Sequence, residues 1–305
     1  MKTSTKSAFS LVEMLIVLGI IAVLAGVLLS QFGGATDSAR ATQCATNLRN
    51  LVTAAQSYAM QQDDGYYPAA QSFIYKVPDH KKNKLVERKR VGWISGREEN
   101  EIMNITPVPF NSADEEALRY AITNGAAGVM WQAMGATRTA YQCPIHAEAF
   151  RKKNGRRPGW SYMMNREFGM TDTSNKNQSW WGLKMTGSYS FDNRSRSPDK
   201  VLMFAEYQAI TINDSGDSVS LDAKLDASGT EADSVLDYKN GEVIGFNHRV
   251  DKRHYAAHVA FTDGHVEKLH KPTSGGISLK DLTKYLCRGH EVTFRNGSYA
   301  DADNQ

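Results

Sequence analysis

The chain has little excess charge of either sign. Its 36 Lys and Arg residues stand against 33 Asp and Glu, a formal net charge of +3 over 305 residues. That balance supplies no electrostatic footprint for nucleic acid, which asks for a basic face or stripe. Also missing are the short motifs that carry common chemistry. There is no Gly-rich phosphate loop, no dinucleotide fingerprint, no nucleophile elbow around a serine and no HExxH helix. Scattered Ser, His and Asp residues do not make a triad without geometry, so no enzyme class follows from the sequence. Long hydrophobic runs are scarce too, with one exception at the N-terminus.

That exception sets the class. Residues 9–29 hold one charged residue, Glu13, and are otherwise apolar or small. As a helix this stretch spans about 32 Å, the thickness of a bilayer core. Residues 1–8, MKTSTKSA, are short and basic, which keeps them on the cytoplasmic side. A cleaved secretory signal has a shorter apolar region ending in a small-residue site, whereas this run continues into a polar helix. A plain signal-anchor leaves Glu13 unexplained. A carboxylate at mid-bilayer costs roughly 2.5–3.5 kcal/mol, so it asks for a partner or a route to the headgroups. Beyond the run, Gln31, Phe32, Gly33 and Gly34 read as a soft joint. Leu48, Leu51, Val52, Ala55, Tyr58 and Ala59 then fall at helical spacing, giving an amphipathic helix over about residues 36–62.

The segment AFSLVEMLIVLGII, residues 8–21, resembles the cleavage and methylation segment of type IV prepilins and type II secretion pseudopilins. The resemblance implies that a dedicated prepilin peptidase cuts between Ala8 and Phe9 and that the new amine is methylated. Ala8 departs from the glycine that the family favours before the cut. Glu13 becomes the fifth residue of the mature chain, and the implied role is assembly: its carboxylate meets the Phe9 amine of a neighbouring subunit. A buried carboxylate is tolerated when it meets a cation, which gives that role a physical basis. The alternative is a Glu13 that snorkels to the headgroups. Further along, CATNLRNL (44–51), GYYP (65–68), YQCP (141–144) and PDKVLMFAE (198–206) resemble the subfamily with a prepilin start and an H-X9-DG tail. The tail is HYAAHVAFTDGHV, residues 254–266. His254 precedes Asp263 and Gly264 by eight intervening residues rather than nine.

The fold class expected is α+β of type IV pilin-like form, a long N-terminal helix packed on an antiparallel sheet. The division expected is a leader at 1–8, a transmembrane segment at 9–30, the outer half of the helix at 31–62 and a head at 63–305. Insertions are expected at about 76–101, a basic solvated loop, and at 211–237, an acidic one. Ser112 opens a capping box for a helix to about Ile122. Strands are expected near residues 200–205, 241–246, 257–261 and 265–269, with Asp263 and Gly264 as a two-residue hairpin turn. Ser278 to Cys287 reads as a last helix, ended by Gly289. In that hairpin Thr262 would pair with His265, leaving His258 and His265 on one face but about 13 Å apart, too far for joint ligation.

Cys143 with His146 and Cys287 with His290 make two C-x2-H pairs, which could supply a Cys2His2 zinc site. Outside the membrane, cysteines more often pair as disulfides. Cys44 and Cys143 lie in the motifs shared with the subfamily, so the resemblance favours that pair, with Cys143 and Cys287 next. The acidic stretch from Asp214 to Asp237 has oxygen ligands for calcium but no EF-hand pattern. Calcium and zinc are thus considered, and no cofactor or metal is assigned. The reading is a non-enzymatic filament subunit in the inner membrane, single-pass, with its head on the periplasmic or extracellular side. Its implied partners are the prepilin peptidase, other subunits, an inner-membrane assembly platform and the bilayer, and not nucleic acid. The alternatives are a tethered binding module for glycan, metal or a surface partner, and a tethered hydrolase.

Overall fold

The computed structural model describes residues 11–63, 65–70, 73–79, 84–90, 92–94, 128–131, 133–135, 137–154, 160–169, 182–207, 210–212, 218–221, 235–240, 243–251, 254–273 and 275–302. Ala8, Phe9 and the expected helix at Ser112 lie outside these residues, as do most of the acidic side chains of 211–237.

Helix α1 runs Leu11–Gln61 without a break, about 76 Å long. The expected joint at Gln31–Gly34 is helical backbone, so the apolar and amphipathic halves form one rod. Residues 11–25 are exposed on every face. From Cys44 onward the rod buries one stripe: Cys44, Leu48, Leu51, Val52, Ala55 and Ala59. Their spacing of three and four places them on one side of a 3.6-residue turn. Among the described residues, no helix is long and apolar enough to cross a membrane. The apolar run of the sequence, residues 9–29, extends past the exposed stretch 11–25 at both ends.

The stripe packs on a six-stranded sheet. Its strands are β3 (Tyr162–Asn165), β6 (Leu202–Glu206), β9 (Val235–Leu236), β10 (His248–Arg249), β11 (Tyr255–Phe261) and β12 (Val266–His270). The order is β10-β11-β6-β3-β9, with β12 on the free side of β11. All pairings are antiparallel except β3 with β9. The helix and the predominantly antiparallel sheet are compatible with the α+β class. Tyr162, Met164 and Ala260 join the core under α1, while Met163, Ala257 and Val259 face a second layer. That second layer is closed by α3 (Leu279–Cys287) and the hairpin β13 (Val292–Arg295) and β14 (Ser298–Asp301). Strand residues buried on both faces read as continuous apolar runs, which is why VLMFA at 201–205 carries no alternation. Helix α2 (Pro144–Asn154) lies beside α1, tied by the Arg40–Glu148 ion pair.

Ser278 caps α3 by accepting the Asp281 amide at 3.1 Å, and Gly289 at φ +70° closes it. The basic segment expected as a loop instead begins as the hairpin β1 (Phe73–Asp79) and β2 (Lys84–Arg90), whose register sets Lys76 opposite Glu87. Likewise β7 (Ile210–Ile212) and β8 (Ser218–Leu221) pair within the acidic insertion. Of the strand expected at 241–246, the described residues 243–246 form no ladder. Ile244 makes one isolated bridge to Tyr207, and ladder pairing resumes four residues further on, where β10 joins β11. Strands β4 (Tyr189–Phe191) and β5 (Arg194–Arg196) form a separate hairpin whose Tyr189 and Phe191 join the core under α1.

The turn between β11 and β12 differs from expectation by one residue. Ala260 pairs with Val266 and His258 with Lys268. The loop is Thr262, Asp263 and Gly264: Gly264 N–H donates to Phe261 O at 3.0 Å, and Gly264 then takes φ +97°. A three-residue loop of this kind needs its last residue in left-handed space, which glycine supplies without cost. The one-residue slip turns one set of side chains over. His265 stacks on Phe261 at 4.4 Å, on the face opposite His258.

Candidate functional site

Two places stand out, the exposed apolar start of α1 and a polar cluster inside the head. Glu13 lies exposed in the first turns of α1, among Leu11, Val12, Met14, Leu15, Ile16 and Val17, all exposed. Soluble proteins rarely present a contiguous apolar surface of this kind, and one this large marks an interaction with lipid or protein.

The second place arises from a gap in the sheet. Strand β11 is paired along one edge by β6 at Val259–Phe261 and by β10 at Tyr255 and Ala256. His258 falls between the two, so its backbone N–H has no ladder partner there. The Glu206 carboxylate, at the end of β6, fills the gap and accepts that N–H through Oε1 at 3.0 Å. The same oxygen accepts from His258 Nδ1 at 3.0 Å, from His248 Nε2 at 2.8 Å and from the Cys44 thiol at 3.0 Å. Cys44 comes from the buried stripe of α1, so helix and sheet meet at this carboxylate. Cys143 Sγ lies 3.7 Å from His248 Nε2 and neighbours Cys44. All five side chains are buried.

Around them stands a fixed outer ring. Asn247 Nδ2 donates to Glu206 Oε2 at 3.2 Å and to Tyr207 O at 2.8 Å. Tyr162 O–H donates to Cys44 Sγ at 3.3 Å, and Asn47 Nδ2 reaches the Tyr162 hydroxyl and the carbonyls of Thr139 and Gln142. The electrostatics follow from crowding. Burial disfavours charge on Glu206, but the charge of His248 and the hydrogen bonds of both histidines outweigh it and hold the carboxyl below its usual range. Burial likewise opposes charge on His248, yet Glu206 and Cys143 raise it to about 10. Burial pushes the Cys44 thiol up, and its neighbours Cys143 and Glu206 push it further.

The residues expected from the sequence distribute unevenly over these places. Cys44, Cys143 and Cys287 are free, buried thiols in the structure, with no disulfide among them. Cys44 and Cys143 are neighbours. Cys287 belongs to the core cluster of the second layer, apart from the cluster that holds Cys44 and Cys143. The two C-x2-H pairs do not assemble. His146 Nδ1 faces Ser161 Oγ at 2.8 Å, and His290 lies beside Asp192 and Asp301. Asp237, counted with the acidic insertion, is instead buried in an ion pair with Arg166.

His254 is exposed and pairs with Asp251 at 2.6 Å, while Asp263 pairs with His265 at 2.7 Å. His254 and Asp263–Gly264 bracket β11 from its two ends, so their spacing measures one strand and its turn. Sequence reasoning missed Glu206, His248 and His258 as a group. The available signal was an ionisable residue in an apolar strand: Glu206 ending VLMFA, and His258 between Ala257 and Val259.

Comparison with known proteins bears on the first place. The family profile described as the prokaryotic N-terminal methylation motif matches residues 3–29. No curated protein and no solved structure matches the chain. The matched stretch supports a prepilin-like protein and implies a membrane-anchored precursor that assembles with other pilin-type subunits.

Proposed function

We propose that the chain is a structural subunit of a type IV pilus-like or type II secretion-like filament, with a pilin-like head. The peptidase cuts between Ala8 and Phe9, and the mature chain begins with a methylated Phe9. The precursor waits in the membrane, held by residues 9–29. On assembly the apolar rod leaves lipid for the rods of neighbouring subunits, an exchange of one apolar environment for another. Glu13 sets the register by pairing with the Phe9 amine of its neighbour, a charge pair formed away from water.

The observation that carries this reading is the bare apolar surface of residues 11–25 on a rod whose far end is anchored in the head core. At roughly 25 cal/mol per Å² of apolar surface, that face needs a cover that the head does not supply. A structural role also fits the absence of enzyme motifs. The test is incorporation: wild-type chain recovered in sheared filaments, and Glu13→Gln chain left in the membrane. Equal recovery of both would overturn the assembly role.

A further inference from the structure

We propose that Cys44, Glu206, His248 and His258 form a buried binding site for a divalent transition metal, zinc by the chemistry of its donors. The inference concerns the head and stands independently of the filament reading. The four ligand atoms all lie within 4.8 Å of one another, one from each residue. A tetrahedral zinc with bonds of about 2.0–2.3 Å holds its ligand atoms about 3.3–3.8 Å apart, so small side-chain shifts suffice. Four elements contribute, α1, β6, β10 and β11, and none of the ligands sits on a loop.

The donor set selects the ion. A thiolate and two imidazoles suit zinc and its late first-row neighbours, whereas calcium and magnesium ask for oxygen throughout. Charge closes as well. One thiolate and one carboxylate balance a divalent ion, with both histidines neutral, so the buried centre carries no net charge. Without a cation, one carboxylate oxygen receives four donors: the Cys44 thiol, His248 Nε2, His258 Nδ1 and the His258 amide. Three of those four atoms are metal-binding atoms converging on one point. Burying this many ionisable groups for packing alone is costly, and apolar residues of the same volume would serve a core better.

The outer ring matches what a metal centre requires. Asn247 orients the Glu206 carboxylate and Tyr162 orients the Cys44 sulfur, each through one hydrogen bond. Binding releases the Cys44 thiol proton. Cys143 stands at the rim and is not a ligand of the set. Because Cys44 belongs to α1 and the other three to the sheet, the ion clamps the stalk helix to the head.

The test uses the full chain in detergent, reduced, stripped with a chelator and then titrated with Zn²⁺ alone or Co²⁺ alone. About one equivalent of zinc should bind, and at a thousandfold excess over Kd the head should melt at least about 8 °C higher. Co²⁺ should give a thiolate-to-cobalt charge-transfer band and the intense visible bands of a tetrahedral centre. Cys44→Ser should lose the charge-transfer band, and Cys143→Ser should keep it. Folding of each variant is checked by circular dichroism, and if Cys44→Ser does not fold, His258→Gln and loss of zinc stoichiometry replace it. The proposal is overturned if folded, reduced wild type binds neither ion. It is overturned equally if the band follows Cys143 rather than Cys44, or if native protein carries a Cys44–Cys143 disulfide.

Discussion

Replacing Glu13 by Gln separates assembly from folding. The two side chains have nearly the same shape, and Gln keeps a hydrogen-bonding amide, so helix packing is undisturbed. What is lost is charge. Against a neighbour's Phe9 amine at about 4 Å, a carboxylate gains about 4 kcal/mol at an effective dielectric near 20. Desolvating both ions offsets part of this, leaving a net of about 2–3 kcal/mol per contact. That corresponds to a loss of roughly 30- to 150-fold in the incorporation equilibrium. The head should not notice. Glu13 precedes Cys44, the first buried residue of α1 among the described residues, by 31 positions, about 46 Å along the helix. Shearing cells and quantifying the chain in filament and membrane fractions reads the first effect, and thermal melting of detergent-solubilised protein reads the second. The expected result is a steep fall in filaments, an unchanged membrane pool and an unchanged Tm. Normal filament yield from Glu13→Gln would refute the charge-pair argument and leave Glu13 as a residue that snorkels. A lowered Tm would refute the separation of stalk from head.

Leu51 is fully buried on the α1 stripe, so Leu51→Ala should cost about 3 kcal/mol and lower the Tm by roughly 6–12 °C in a thermal melt. His146 is buried against Tyr207, and burial lowers its pKa to about 4. The unfolded chain binds this proton near pH 6.5 and the folded chain near 4, so the unfolded state holds more protons between them. Stability is therefore greatest above about pH 6.5 and falls by up to about 3 kcal/mol as pH drops towards 4. Denaturant melts across that range should show the loss, and His146→Phe should flatten its share of it.

What the sequence reveals and hides here follows from the range of the interactions. The α1 stripe was readable because Leu48, Leu51, Val52, Ala55 and Ala59 repeat over about three turns of a helix. Strand β6, the β11–β12 hairpin and α3 were readable for the same local reason, an apolar run or a cap beside its turn residue. The hairpin register was not, because Asp263 and Gly264 suit both a two- and a three-residue loop, and only pairing with β6 decides. The cluster was hidden most deeply. Its members sit at positions 44, 206, 248 and 258 and meet only because β6 and β10 abut along β11. No short spacing encodes that junction. The C-x2-H pairs drew attention by their spacing, yet the fold sends Cys143 towards Cys44 and His146 towards Ser161. His254 drew attention through its motif, while the cluster uses the buried His248, six residues earlier, and His258, four residues later.

N-terminal mass spectrometry of the protein from its native membranes and filaments decides whether the chain is a processed prepilin-type subunit. The mature chain should begin at Phe9, lack residues 1–8 and carry a methylated amine. An intact Met1, or a first residue beyond Leu29, would contradict it.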